Sequence, residues 1–299
     1  MSEEKINSES KLAEEKIIVI DWMIFLHRAV YSSAPNPDGY PPYTCMTMIL
    51  GCLKKIGIEP DDVVIVAVDS RGSWRKEFEK AYKGDRAEKR KASPIDWSKW
   101  YTKFDELIEE LKEATNWHFV KVDHVEADDI MAVACRYFSN HKVILLTYDH
   151  DLEQMWVYDN VKIFSPMTKR YKLKPKTFNV YSVISKMIKQ EASDNLKSPV
   201  LNAEDYDIRL KCVTLLELPD WVEAEIIEAF ESMTDKPECV KKMPFAIVRE
   251  RFGSLYNDKK NVITYEDCVA REERKKKRVK RKQRLKETQT KWVKETDAQ

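Results

Sequence analysis

Glycine is scarce in this chain, which has only six glycines among 299 residues. None of them lies between Gly84 and Gly253, a stretch that covers the middle of the sequence. Glycine is the residue that tight turns with a positive φ angle and close main-chain approaches to a ligand favour. We therefore do not expect glycine-rich hairpins in that stretch.

Long apolar runs are also missing, since none approaches the roughly 20 residues that a membrane-spanning helix needs. Residues 1–15 are polar and acidic, so we expect a solvated, disordered tail there and no signal peptide. The six cysteines form no CxxC pair, which argues against a zinc site. Together these features predict a cytoplasmic protein with reduced, mostly buried thiols and no membrane partner.

Charged residues are abundant, but the net charge of +1 conceals an uneven distribution. Lysine and arginine are concentrated in residues 71–91 and 271–294, whereas the acids gather elsewhere. Segregated basic patches of this kind indicate a polyanionic partner.

Three short apolar runs each lead into an aspartate. The runs IIVI, VVIVAV and VILLTY are followed by Asp21, Asp69 and Asp149. Unbroken runs of this length are typical of buried strands in a parallel sheet, and segments with helical spacing separate them. The pattern predicts an α/β fold with a mostly parallel central sheet flanked by helices. Because ligands bind outside the carboxyl ends of such strands, the three aspartates should share one crevice.

The segment EADD adds further carboxylates to this crevice. Glu126, Asp128 and Asp129 lie at the start of a predicted helix, where acids interact favourably with the helix dipole. A helix cap beside an ordinary turn would explain either acidic group alone, but both groups occur in one βαβ unit. Clustered carboxylates repel one another unless a cation lies among them, and oxygen ligands suit Mg²⁺ or Mn²⁺. A metal site is therefore the favoured interpretation.

Between residues 71 and 100 the chain becomes basic and aromatic. Trp74, Phe78 and Tyr82 are four residues apart, which predicts one aromatic stripe on a helix. A solvated amphipathic helix with Glu–Lys pairs would give this pattern. The favoured alternative is a basic arch beside the crevice that grips phosphates and stacks bases. Its predicted nucleic-acid contacts are Arg71, Trp74, Lys76, Lys80, Tyr82, Lys89 and Arg90.

The rest of the chain divides into a helical part and a basic tail. A helix predicted over residues 180–189 leads into Glu191 and Asp194. Residues 196–270 have mainly helical spacing, which predicts a small α domain. Residues 271–299 form a dense basic run without an apolar face. This run is either a solubilising tail or, as so many like charges favour, a flexible attachment to nucleic acid.

Seven motifs together resemble the 5′-nuclease (flap endonuclease) family. They span residues 17–195 and occur in the order IVIDWMIFL, AVDSRGSWRKEF, AYKGDR, VEADDIMAV, TYDHDLEQM, FSPMTKRY and ASDN. The resemblance implies a PIN-like nuclease core in residues 16–195, with the arch at about 71–100 and a duplex-binding helical domain in residues 196–270. That domain would be a degenerate version, because the glycine-rich hairpins usual in the family have no counterpart here.

The resemblance also implies roles for individual residues. The first metal site would consist of Asp21, Asp69, Glu126, Asp128 and Asp149. The second site would be built or supported by Asp151, Glu191 and Asp194. The arch cations that contact the scissile phosphate would be Arg75, Lys83 and Arg86. The two metal ions would be Mg²⁺, and Mn²⁺ would be able to replace them.

The implied activity is cleavage of DNA and RNA–DNA duplexes from 5′ ends and at 5′ flaps, including removal of RNA primers in phage DNA replication. A single-strand-binding protein and a sliding clamp are implied as partners, and we expect a monomer. Two alternatives stay open. One is a PIN-type ribonuclease that cuts single-stranded RNA, although such proteins usually lack the arch and the C-terminal extension. The other is a non-catalytic scaffold that binds nucleic acid, which loss of a crevice aspartate would have favoured.

Overall fold

Six strands form one sheet at the centre of the computed structural model, which describes residues 15–190, 200, 202–257 and 261–296. The strands are β1 (Lys16–Asp21), β2 (Val63–Ala67), β3 (His118–Val120), β4 (Lys142–Leu146), β5 (Val161–Ser165) and β6 (Arg170–Tyr171). Their order across the sheet is β3-β2-β1-β4-β5-β6. All neighbours pair in parallel except β5 and β6, which are antiparallel.

Helices connect and cover these strands. The α-helices are α1 (Trp22–Ser33), α2 (Pro41–Ile56), α3 (Arg86–Lys91), α4 (Trp97–Ala114), α5 (Ala127–Tyr137), α6 (Val180–Gln190), α7 (Ala203–Val213), α8 (Asp220–Glu231), α9 (Ala246–Gly253) and α10 (Tyr265–Thr296). Short 3-10 helices occur at Trp74–Glu77, Asp151–Val157 and Val240–Lys242.

Local sequence signals set several helix boundaries. The Asp96 carboxylate accepts a hydrogen bond from the Lys99 amide at 3.0 Å, so α4 begins at Trp97. At the other end of a helix, Gly57 has a φ angle of 75° and terminates α2. This left-handed cap favours glycine because a side chain would be strained there.

Both faces of the sheet are buried. On one face, Ile18 and Ile20 of β1 pack in a cluster with α1, α2 and α4. On the other face, Ile17 and Val19 pack with α5. Successive side chains of a strand point to opposite faces, so a sheet covered on both sides requires unbroken apolar strands. The predicted α/β fold, with a mostly parallel sheet and flanking helices, is confirmed.

The C-terminal helices extend these two layers. Val222 and Ile226 of α8 join the cluster that contains α5. Val248 and Phe252 of α9 join the cluster on the opposite face. The predicted start of a separate helical domain at residue 196 lies outside the described residues and stays a prediction.

The basic run that begins at residue 271 is helical up to Thr296, so the prediction of a flexible tail is wrong for this stretch. Its helix, α10, begins upstream at Tyr265. The Thr264 hydroxyl accepts from the Asp267 amide at 3.0 Å, while the Asp267 carboxylate accepts from the Thr264 amide at 3.0 Å. This reciprocal capping box starts the helix, and the lysines, arginines and glutamates that follow have high helix propensity.

All six cysteines are free thiols, and only Cys239 is not fully buried, as the composition predicted. Burial raises the pKa of the Cys45 and Cys135 thiols above the usual range, which makes them poor nucleophiles. Among the described helices, none combines the length and the apolar character that crossing a bilayer would require.

Candidate active site

The predicted acidic crevice lies at the carboxyl edge of the sheet. Asp21 is the last residue of β1, and its carboxylate accepts hydrogen bonds from the Ile24 amide at 3.2 Å and the Thr147 hydroxyl at 3.0 Å. Asp69 follows β2, and its carboxylate accepts from the Ala127 amide at 2.6 Å. The bond from Thr147 to Asp21 joins the ends of β1 and β4, and the bond from Ala127 to Asp69 joins the end of β2 to the start of α5.

The carboxylates at this edge oppose one another's ionisation. Burial, together with the charges of Asp69 and Asp149, raises the pKa of Asp21 to about 7. Burial and the charges of Asp149 and Asp21 hold the pKa of Asp128 well above its ordinary value. Burial also raises the pKa of Asp69, although the Ala127 amide opposes this shift. The edge therefore concentrates negative potential in a place with little water.

The donor set at the edge fits a hard divalent cation, because it consists of carboxylate oxygens that repel one another. Within the described ranges, however, no three histidine, cysteine, aspartate or glutamate side chains meet in a geometry that could hold a metal ion. The carboxylates instead accept hydrogen bonds from protein groups, such as Thr147 to Asp21 and Lys83 to Glu126. A metal site would require these side chains to exchange protein donors for the cation.

Basic and acidic side chains line one cavity of about 360 Å³. Lys83 and Arg86, which we call the basic wall, line it together with Asp128, Asp149 and Asp151. The cavity thus presents both signs of charge to whatever enters it. Asp151 is held at its rim because its amide donates to the Asp149 carboxylate at 2.9 Å.

Glu126 connects the two sides of this cavity. It accepts from the Lys83 ammonium at 2.9 Å, the Tyr82 hydroxyl at 3.1 Å and the Arg75 guanidinium at 3.2 Å. Burial opposes ionisation of Glu126, but the charges of Lys83 and Arg75 outweigh burial and hold its pKa below the ordinary value. Glu126 is therefore an ionised anchor for the basic wall as well as a predicted metal ligand.

Arg75 lines the same cavity, but its guanidinium is held by contacts inside the protein. Its side chain is 2% exposed, and its guanidinium donates to both oxygens of Asp129, at 2.9 and 2.7 Å. Its Nε donates to the Cys212 carbonyl at 2.7 Å. These contacts make Arg75 a structural support of the wall in this conformation, and its role as an arch cation stays a prediction.

The predicted aromatic stripe on one helix is wrong. Residues 74–77 form a single 3-10 turn, and the Trp74 amide is held by the His124 carbonyl at 2.8 Å. Trp74 and Tyr82 are each 2% exposed and cannot stack on bases in this conformation, whereas Phe78 is 39% exposed. Their polar atoms bind Asp129 and Glu126, so these two rings pack behind the wall.

The remaining predicted nucleic-acid contacts lie on the surface. These exposed cations are Arg71, Lys76, Lys80, Lys89 and Arg90. Glu191 and Asp194, predicted for the second metal site, lie outside the described residues.

Sequence reasoning missed two residues that organise the site. Asp129 was treated only as part of a helix start, yet it is fully buried and binds Arg75 and Trp74. The three-residue spacing from Glu126 to Asp129 signals a capping box, which α5 does contain. Thr147 lies within an apolar run of the sequence, but its hydroxyl donates a hydrogen bond to the Asp21 carboxylate and so orients it. No signal in the sequence alone distinguishes that threonine.

A family model described as the 5′-3′ exonuclease, N-terminal resolvase-like domain, matches residues 16–188, which is more than half of the chain. The chain belongs to the 5′-3′ exonuclease family. The matched range includes every strand of the sheet, the described carboxylates at its edge and the basic wall. The family resemblance found in the seven motifs is thereby confirmed.

Known proteins that are similar to the chain include a phage ribonuclease and a phage protein of known structure. Ribonuclease H of Enterobacteria phage T4 is 30% identical over 153 residues, which are 50% of this chain and 50% of that protein. The chain thus spans about half the length of this curated relative. A crystal structure of the T5 D15 protein co-crystallized with metal ions has a TM-score of 0.50 at 17% identity, over 81% of this chain and 98% of that one. This second similarity shows a shared fold.

Proposed function

We propose that the chain is a divalent-metal-dependent phosphodiester hydrolase that acts as a structure-specific 5′ nuclease. The observation that carries this proposal is one cavity lined both by carboxylates and by Lys83 and Arg86. A phosphodiester in this cavity would meet an acidic edge suited to cations and a basic wall suited to phosphate oxygens. Membership of the exonuclease family supports the same activity.

Two Mg²⁺ ions are the proposed cofactors, and Mn²⁺ would replace them because it favours the same oxygen ligands. When bound, such ions supply an activated nucleophile and stabilise charge on the leaving oxygen. The proposed ligands of the first ion are Asp21, Asp69, Glu126, Asp128 and Asp149. Those of the second are Asp151, Glu191 and Asp194.

The basic wall is proposed to stabilise the negative charge that develops on the scissile phosphate. Lys83 and Arg86 line the same cavity as Asp128 and Asp149. Preorganised cations that face a reacting phosphate lower the barrier without reorganising during the reaction. Arg75 and Asp129 would act indirectly, since they fix Glu126 and through it Lys83.

The proposed substrates are DNA and RNA–DNA duplexes with a 5′ end or a 5′ flap. The similar T4 protein is named ribonuclease H, which supports RNA strands as targets and removal of RNA primers in phage DNA replication. A monomer working in the host cytoplasm with a single-strand-binding protein and a sliding clamp completes the proposal.

The proposal is tested by incubating the protein with a 5′-flap duplex and with a single-stranded oligomer of the same length, each with Mg²⁺ or with EDTA. We expect Mg²⁺-dependent cutting near the flap junction. Cutting of the single strand alone would instead identify a PIN-type single-strand ribonuclease. Binding of both molecules without any cleavage would identify a non-catalytic scaffold.

A further inference from the structure

A groove of about 690 Å³ lies beyond the edge strand β6, between residues 168–176 and the first turns of α10. We refer to it as the β6 groove. Tyr265 of α10 lines this groove. The Tyr265 hydroxyl accepts a hydrogen bond from the Lys174 amide at 3.2 Å, and the Tyr265 ring lies under the Lys162 ammonium. The groove therefore has a fixed shape, set by contacts between a strand, a loop and a helix.

The lining of the β6 groove is strongly cationic. Its six cationic residues are Arg170, Lys174, Lys176, Arg271, Lys275 and Lys276, against two acids, Glu272 and Glu273. Lys174 pairs with Asp159 at 3.5 Å, and Lys275 pairs with Glu272 at 3.3 Å. For the other four cations, no ion pair occurs with any described residue. Uncompensated cations that face one another across a groove favour a polyanionic ligand.

The β6 groove is connected to the carboxyl edge of the sheet. Arg170 pairs with Ser165, the last residue of β5, so it lies at the same edge as the active-site cavity. One residue beyond β6, the Lys172 ammonium donates to the carbonyls of Tyr148 and Asp149, at 3.2 and 3.3 Å. Three strand spacings, about 14 Å, separate β6 from β1. At about 3.4 Å per nucleotide along one strand, this is about four nucleotides.

We propose that the β6 groove binds the phosphate backbone of the substrate's nucleic acid a few nucleotides away from the cleaved phosphodiester. This inference rests on the proposed nuclease function and assigns a second contact surface to it. The repeating charges of a phosphate backbone suit a groove that is lined by several cations and that includes Arg170 at this edge of the sheet. An acidic protein segment is the other polyanion that could enter, but only nucleic acid must extend outward from the cavity.

The test compares two double variants that remove the same charge from opposite edges of the sheet. Arg170→Ala/Lys176→Ala removes cations of the β6 groove. The matched control, Lys236→Ala/Lys241→Ala, removes two exposed lysines from the segment beside β3. Affinity for a 5′-flap duplex is measured in EDTA over a series of salt concentrations, so that no cleavage occurs. Wild-type cleavage of the same duplex in Mg²⁺ is measured in parallel.

We expect the groove variant to bind more weakly and to lower the slope of log K against log salt by about 2, one for each lost phosphate contact. The control should keep the wild-type slope. Equal slopes for both variants would overturn the groove proposal. Polyglutamate, as a model of an acidic protein segment, is tested in the same binding assay. A groove variant that loses only its binding to polyglutamate would also overturn the proposal. A wild-type protein that cuts nothing would overturn the nuclease proposal instead, so the two failures are distinguishable.

Discussion

Lys83 has a φ angle of 52°, in the left-handed region that residues other than glycine seldom occupy. Its ammonium lies 2.9 Å from the Glu126 carboxylate, and Lys83 lines the same cavity as Asp128. A strained backbone persists only where surrounding contacts enforce it, and such positions cluster at functional sites. This geometry makes Lys83 the residue of the wall whose placement is most specific.

Lys83→Ala should lower the single-turnover cleavage rate by about 10²-fold, because one preorganised electrostatic contact to the transition state is lost. Affinity should change little, since one phosphate contact among several is a small part of binding. Rapid-quench kinetics and binding in EDTA measure the two quantities. Lys112→Ala, at an exposed lysine of α4, is the matched control. A Lys83→Ala protein that lost affinity alone would refute this role.

Arg75→Ala should act on stability. Removing the guanidinium leaves the carboxylate of Asp129 buried without its ionic partner, which typically costs about 3–5 kcal/mol. Urea unfolding of the variant measures this cost, and Lys89→Ala, which breaks the exposed pair with Asp85, should leave the stability close to that of the wild type. If Arg75→Ala kept wild-type stability and lost only cleavage rate, Arg75 would be a phosphate contact after all.

Arg75 and Lys83 also show what a sequence cannot resolve at this scale. Both belong to one basic segment, and the spacing places both near the acidic crevice. Their difference arises from Asp129, which is fully buried and draws Arg75 into the interior. The packing of α5 against the segment places Asp129 next to Arg75. Residue spacing in the sequence does not show this packing.

At the scale of elements, the strands were predictable from the sequence, whereas the local structure around Trp74 was not. Unbroken apolar runs followed by aspartates predicted β1, β2 and β4 and the edge at which their carboxylates meet. The four-residue aromatic spacing predicted a helix, but contacts from Trp74 to Asp129 and His124 hold only a 3-10 turn. Tertiary contacts of this kind override local periodicity and leave no trace in spacing.

Deleting residues 271–299 should weaken duplex binding and flatten its salt dependence, because many cations are removed at once. The rate at saturating substrate should stay near normal. The deletion begins after Tyr265 and Cys268, whose contacts hold the start of α10 beside β6 and Lys162. Binding and single-turnover cleavage across a salt series check both expectations. A truncated protein that kept its affinity and lost its rate would contradict them.

At the scale of the whole molecule, ionisation of the buried carboxylates at the carboxyl edge lowers the stability of the folded state. The folded-state pKa of Asp21, about 7, exceeds its ordinary value of 3.8, so the folded protein holds more protons than the unfolded chain between these values. Stability from this group is therefore greatest at low pH and falls as the pH rises through that window.

Mg²⁺ should consequently raise the midpoint of thermal unfolding more at pH 8 than at pH 5, because protons compete with the cation for the same carboxylates. In EDTA, the wild-type midpoint should fall between pH 5 and pH 8 by more than that of Asp21→Asn, which lacks this titration. Differential scanning fluorimetry at matched ionic strength measures both effects. Equal responses to Mg²⁺ at the two pH values would count against cation binding at this edge.

In the proposed function, the cations of the protein bind nucleic acid and the carboxylates at the sheet edge are required to cut it. Asp128→Asn separates the two, since it removes a carboxylate that lines the cavity and one source of repulsion toward DNA. The decisive measurement is single-turnover cleavage of a 5′-flap duplex in Mg²⁺ together with its affinity in EDTA, with Asp105→Asn on the exposed side of α4 as the control. We predict that Asp128→Asn loses cleavage and binds as tightly as the wild type or more tightly, whereas the control behaves as the wild type. Wild-type turnover by Asp128→Asn would contradict the assignment of this edge as the catalytic centre.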